Sequence, residues 1–286
     1  MKNMMKQMIV LITLVLGVVT AQAQGVNNAS RNGCKDIGVS WLDLKMALTA
    51  ATQPGPAGKL LNGGLGFNMW GTIVDRDGVV CLVVFTGADR GRQWPGSRVI
   101  SAQKANTANS FSLPDFALST ANLYTATQPG GSLFGLQLSN PVSTHVAYSG
   151  DPGHYGQAND PMVGGRIGGI NVFGGGLALY NKNHEIVGGL GVSGDTSCAD
   201  HNIAYRTRHT LNLDFVPAGV GDATHKDNII FDVTPQGNGD APPITGTGQM
   251  PGVSAGGFGH ASCHGYNTTT GNPTSAGFAA ALPPTQ

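Results

Sequence analysis

Two apolar, β-branched runs, Met69 to Asp75 and Val79 to Phe85, flank the tripeptide Arg76-Asp77-Gly78. Asp-Gly at such a junction supplies the positive φ that a tight hairpin needs, and so short a turn can join only antiparallel strands. The centre of the chain is thereby committed to an antiparallel sheet. Further on, Ile170-Asn171-Val172-Phe173, Gly176 to Tyr180 and Glu185 to Val192 read as three more strands, the last two forming a second hairpin across the polar turn Asn181 to His184.

Helical signals separate and flank these strands. Ser40-Trp41-Leu42-Asp43 reads as a capping box, and Trp41, Leu44 and Leu48 share one helical face before Pro54-Gly55-Pro56 stops the helix, which places it at Trp41 to Thr52. Pro95-Gly96-Ser97 introduces a second helix from Arg98 to Phe111. Its residues Ala102, Ala105 and Ala108 leave one side nearly bare, suited to close approach to a sheet. Ser119 to Gln128 reads as a third, shorter helix, and Asp195-Thr196 caps a final one running to about Leu211. From Asn140 to Arg166 the pattern dissolves into Ser, Gly, Asp, Pro and aromatic residues, a long loop rather than core. Ile229 to Val233 suggests one added strand in an otherwise Gly, Pro, Thr and Ala-rich extension, residues 214–286. Two hairpins with intervening helices make an α+β domain.

The first 23 residues read as a cleavable signal peptide. Lys2 and Lys6 give a positive start, Met8 to Thr20 are uncharged and apolar, and Ala21-Gln22-Ala23 gives the small-x-small cleavage pattern. The apolar stretch falls short of the ~20 residues that span a bilayer, so stable membrane insertion is not expected. A mature chain from about Gln24, after a lead-in over residues 24–39, is expected in the periplasm or secreted. Cleavage removes two of the 16 basic residues and leaves 14 against 16 acidic ones. With no basic run after Lys6, a nucleic-acid partner is excluded.

An exported chain is oxidised, and an even count of cysteines, Cys34, Cys81, Cys198 and Cys263, reads as disulfide material with three pairings open. Cys81 lies inside the apolar run Val79 to Phe85, where a buried thiol and a bridge are equally compatible. A bridge drawn from Cys34, Cys198 and Cys263 is favoured, with Cys198 to Cys263 preferred because it would tie the extension to the body.

Three patches together carry a family resemblance: Ile73-Val74-Asp75-Arg76-Asp77-Gly78, then Ser101-Ala102-Gln103-Lys104-Ala105-Asn106-Thr107-Ala108, then Val187-Gly188-Gly189-Leu190-Gly191-Val192-Ser193-Gly194 followed by Asp200. Over residues 40–213 the chain resembles the GlcG/HbpS-type haem-degrading, or haem-binding, domains, which are related to the C-terminal domain of PduO-type proteins. The resemblance implies a five-stranded, mainly antiparallel sheet flanked by helices, a profilin-like α/β/α sandwich, usually assembled as a homo-oligomer and in several members binding haem or iron. The inserted loop at 140–166, the extension after Leu213, and Asp195-Thr196-Ser197-Cys198 where many members carry acidic residues all depart from that pattern.

Candidate ligand residues follow. Lys104 and Thr107 share a side of the second helix and match the family's lysine patch, with Lys104 suited to a propionate or other small anion; the plainer reading is an exposed helical lysine beside a packing threonine. His145, His154 and Tyr155 in the long loop are axial-ligand candidates, since haem iron accepts imidazole or phenolate, and otherwise they are solvated loop residues. His260 and His264 around Cys263 offer a weak metal set that a disulfide on Cys263 would disarm. No catalytic constellation stands out: Gly191-Val192-Ser193-Gly194 is one residue short of a nucleophile elbow, and Gly174-Gly175-Gly176 lacks the lysine of a phosphate loop. The expected function is an exported haem-binding protein acting in haem or iron capture, storage or sensing. The alternatives are an accessory factor or enzyme for a small organic acid or corrinoid, and an oligomeric scaffold without ligand.

Overall fold

The computed structural model describes residues 33–233, 253–263 and 275–286. The expected signal peptide and His264 lie outside the described residues. Helix α1 (Trp41–Thr52) begins at the predicted capping box: the Ser40 hydroxyl accepts from the Asp43 amide, and the Asp43 carboxylate accepts from the Ser40 amide. Its apolar side buries Leu44 and Leu48, and the half-buried Trp41 donates its ring N–H to Val83 O at 2.9 Å.

Strands β1 (Trp70–Asp75) and β2 (Val80–Phe85) form the first hairpin. Asp75 builds its turn twice over. Its carbonyl accepts from Gly78, which sits at φ +76°, and its carboxylate accepts from the amides of Asp77 and Val79. Strands β3 (Gly176–Tyr180) and β4 (Ile186–Ser193) form the second. The sheet has four strands in the order β2-β1-β4-β3, antiparallel throughout.

The five-strand expectation is therefore corrected to four. Residues 170–173 have strand composition but no ladder, because side chains claim their backbone. The Asn171 amide donates to Thr107 Oγ1 at 2.9 Å, and the Phe173 amide to Asn171 Oδ1 at 3.1 Å. The Ser119 to Gln128 helix is likewise replaced by two 3-10 turns, Thr120–Leu123 and Thr125–Thr127. Here Thr120 and Asn122 spend their side chains on distant backbone, Gly176 and Asn228 among it. Ile229 to Val233 makes a single bridge, Val233 to Ser254, instead of a strand.

Helix α2 (Ser97–Ser110) covers one sheet face, and α1 with α5 (Ser197–Thr210) covers the other. The two-residue period of β4 sorts its side chains accordingly. Leu190 and Val192 join Leu44, Leu48, Ile73 and Ile203 on the α1/α5 side, whereas Gly189 and Gly191 face α2. A Cβ at Gly191 would collide with the Ser101 carbonyl oxygen, and one at Gly189 with that of Ala105. The glycines of β4 and the small residues of α2 are thus one device that lets a helix backbone lie directly on a strand.

The long segment stays irregular, with single-turn helices α3 (Leu136–Ser139) and α4 (Thr144–Ala147), yet it is built around a buried anchor. Asp160 accepts from Arg98 Nε at 2.9 Å and from the amides of Gly156 and Met162, and Met162 is fully buried. Two disulfides clamp the ends. Cys34 is bonded to Cys81, which resolves the open reading of Cys81 as a bridge, and Cys198 to Cys263, the pair preferred from the sequence. A last short helix, α6 (Ser275–Ala280), packs against α5. Among the described residues no helix is long and apolar enough to cross a membrane.

Candidate functional site

A cavity of about 460 Å³ opens between the first half of α2, the turn before it, the 173–175 segment and the start of α5. Its walls are aromatic. Trp94, half exposed, meets Phe67 edge to face at 5.4 Å, and Phe173 is 45% exposed. Large aromatic groups left this open around a concavity offer a flat apolar surface to a ligand. Ile100 adds an aliphatic patch, while Ser193, Asp195 and Ser197 contribute oxygen atoms.

The deep end is a buried ion pair. Lys104, 1% exposed, donates to Asp200 Oδ2 at 2.7 Å and to Val192 O at 3.0 Å. The other Asp200 oxygen accepts from the Asp195 amide at 2.8 Å. Gly175 leaves room for the ammonium, since a Cβ there would sit 3.2 Å from Lys104 Nζ. Asp195 in turn accepts from the amides of Leu65, Phe67 and Thr196, which draws the 65–67 strand of coil, and with it Phe67, to the rim.

Burial dominates the charge states of the pair. Loss of water pushes the Asp200 carboxyl up to about 7 against the pull of Lys104, and lowers Lys104. The native state thus keeps the Asp200 proton where the unfolded chain, at 3.8, has released it, a contribution present at acid pH and lost as pH rises through 7. The lowered Lys104 value acts in the opposite sense and is regained as pH rises toward 10.5. We expect the stability of the wild type, measured against a Lys104→Met/Asp200→Leu double variant, to fall between pH 4 and 7. Denaturant midpoints at several pH values check this, and a flat difference across that window contradicts it.

Of the residues chosen from sequence, Lys104 lines this cavity, and it is buried and paired rather than an exposed helical lysine. Thr107 is buried one turn further along α2, where its hydroxyl donates to Gln103 O and accepts from Asn171. His145 and His154 are exposed on the long segment. Tyr155 lies beneath the Arg98 guanidinium, 3.6 Å from its ring centroid, and borders a second, smaller cavity of about 170 Å³ with Trp41, Lys45 and Arg90. The loop candidates therefore do not meet Lys104. His260 is buried, with Nε2 2.7 Å from Ser197 Oγ, and burial pulls its pKa down to about 4. Cys198, His260 and Cys263 cluster closely enough to hold a metal ion, but the disulfide occupies both sulfurs. Trp94, Phe173 and Ser197 were not singled out from sequence. A tryptophan stranded before Pro-Gly, outside every apolar run, was the available signal for the first.

The family profile of haem-degrading HbpS-like proteins matches residues 59–208. The chain belongs to this HbpS-like family. All three sequence patches fall inside the matched region, and in the fold the second and third meet: Lys104 bonds both Val192 and Asp200. Among solved structures, the chain is similar to the PduOC–haem complex, with 22% identity, 61% of this chain and 96% of that chain covered, and a TM-score of 0.41. It is also similar to the Klebsiella pneumoniae protein ORFY (25% identity, 59% and 88% covered, TM-score 0.38) and to HbpS (16% identity, 59% and 85% covered, TM-score 0.35). No curated protein matches the chain.

Proposed function

We propose that this protein is an exported haem-binding protein acting in haem or iron capture, storage or sensing at the cell envelope, and that the cavity between α2 and α5 is where haem sits. The observation that carries the reading is the combination, in a chain of the HbpS-like family, of exposed aromatic walls at Trp94 and Phe173 with a buried lysine at the deep end. Those residues fit a porphyrin. The aromatic faces and Ile100 would hold the ring, and Lys104 is the cation toward which a propionate would turn. The lining offers oxygen atoms to iron but no imidazole, thiolate or thioether. His145, His154 and Tyr155, the nitrogen and phenolate donors expected from the sequence, lie outside this lining, and ligation by any of them is the alternative placement within the same reading; of the three, Tyr155 borders the smaller cavity. The signal-like first 23 residues and the two disulfides support export. Assembly into a homo-oligomer is part of the same proposal.

A small organic anion is the second reading, favoured by the buried Lys104 and by a volume that also suits a modest ligand. Hemin titration of the purified chain, followed at the Soret band, separates the two. Saturable binding is expected, whereas stabilisation by small organic acids without any Soret change would favour the second.

A further inference from the structure

We propose that Ser197 is a nucleophile served by His260, and that the chain hydrolyses small carboxylic esters at the mouth of the α2/α5 cavity. Ser197 Oγ lies 2.7 Å from His260 Nε2, and His260 Nδ1 lies 2.6 Å from the Ala261 carbonyl oxygen. A carbonyl can only accept, so Nδ1 carries the proton. Nε2 is then the free lone pair, and the Ser197 hydroxyl donates to it. That tautomer, with the base oriented by a third group, is the arrangement that activates a serine.

The surroundings keep the pair in place. The imidazole is 4% exposed and lies tilted against Tyr124, with ring centroids 4.6 Å apart. The Cys198–Cys263 bond fixes the residue after the serine to the residue three beyond the histidine, so the contact is covalently held. The Gly174 amide donates to Ser197 Oγ at 2.7 Å and aims it, leaving one lone pair of the hydroxyl for attack. Ser197 opens α5, where its own amide belongs to the first-turn N–H groups without an intrahelical partner, the kind of donor that stabilises an oxyanion. The serine also lines the cavity, so an acyl group seated against Trp94 and Phe173 would present its carbonyl there.

In the reaction, Oγ bonds to the ester carbonyl carbon while its proton passes to Nε2. The bond to the leaving oxygen then breaks, and that oxygen takes the proton from His260 and departs as an alcohol. Water attacks the acyl-serine, gives a proton to Nε2, and the acid leaves as Oγ recovers that proton. Ester and water become acid and alcohol.

The test uses the full chain free of haem, so this proposal and the haem reading can fail separately. A fluorophosphonate probe should label wild-type protein at Ser197, located by peptide mass spectrometry, and p-nitrophenyl butyrate hydrolysis should fall at least ~100-fold in Ser197→Ala, the scale of a lost acid–base partnership. The labelling needs no variant, so a variant that fails to fold leaves the answer intact. Absence of label at Ser197, or undiminished hydrolysis in a folded Ser197→Ala, overturns the proposal.

Discussion

Replacing Asp227 with alanine is expected to lower the unfolding free energy by about 3–5 kcal/mol, the range for stripping one partner from a buried ion pair. Arg208 and Asp227 have no exposed side-chain surface and meet through two parallel bonds, Nη1 to Oδ2 at 2.6 Å and Nη2 to Oδ1 at 2.7 Å. Nη1 also donates to Ala178 O at 3.0 Å, so one guanidinium ties α5, β3 and the segment after Leu213 together. Without the carboxylate, that charge stays in the interior uncompensated. Urea unfolding should show a lower midpoint with an unchanged slope. An Arg208→Met/Asp227→Leu double variant should recover much of the loss, because removing both charges removes the desolvation cost. A loss below about 1 kcal/mol in Asp227→Ala would show that water reaches the pair.

The second large effect is expected from the Cys198–Cys263 bond. It joins residues 65 apart in sequence, and chain entropy assigns a closed loop of that length about 4 kcal/mol. A Cys198→Ser/Cys263→Ser variant should lose an amount of that order, read from denaturant midpoints under non-reducing conditions. Hydrogen exchange should rise first at the His260 amide, which donates to Ile230 O at 2.7 Å. If the variant unfolds at the wild-type midpoint, the segment is held by its packing around Tyr124 and Phe231 and not by the bond.

What the sequence disclosed and what it concealed divide along contact range. The Ser40 cap, the Asp77-Gly78 turn and the β3–β4 hairpin are each decided within a few residues, and local chemistry predicts them. The alanine side of α2 foretold close packing on a sheet because helical spacing is itself local. Residues 170–173 misled for the opposite reason: their composition suits a strand, but Thr107, more than sixty positions away, takes the amide a ladder would need. The same holds at the site. Lys104 could be chosen from its patch, but its partner Asp200 lies 96 residues on. Trp94 and Phe173 share a cavity, and Ser197 abuts His260, only once the sheet and the second disulfide have formed. The loop residues His145 and His154 carry the right chemistry for iron, yet nothing in their spacing says that both stand exposed on the long segment, outside the lining of either cavity.

Hemin titration of matched variants decides whether the cavity walled by Trp94 and Phe173 is where haem binds. Both aromatic side chains are substantially exposed, so Trp94→Ala/Phe173→Ala should fold normally. We expect a saturable Soret shift in the wild type and in His154→Ala, and at least a tenfold weaker Kd in the aromatic double variant. That factor corresponds to about 1.4 kcal/mol, a modest share of the apolar contact two aromatic rings can supply. No saturable shift in the wild type, or a shift abolished by His154→Ala and untouched in the aromatic double variant, would contradict binding at that cavity.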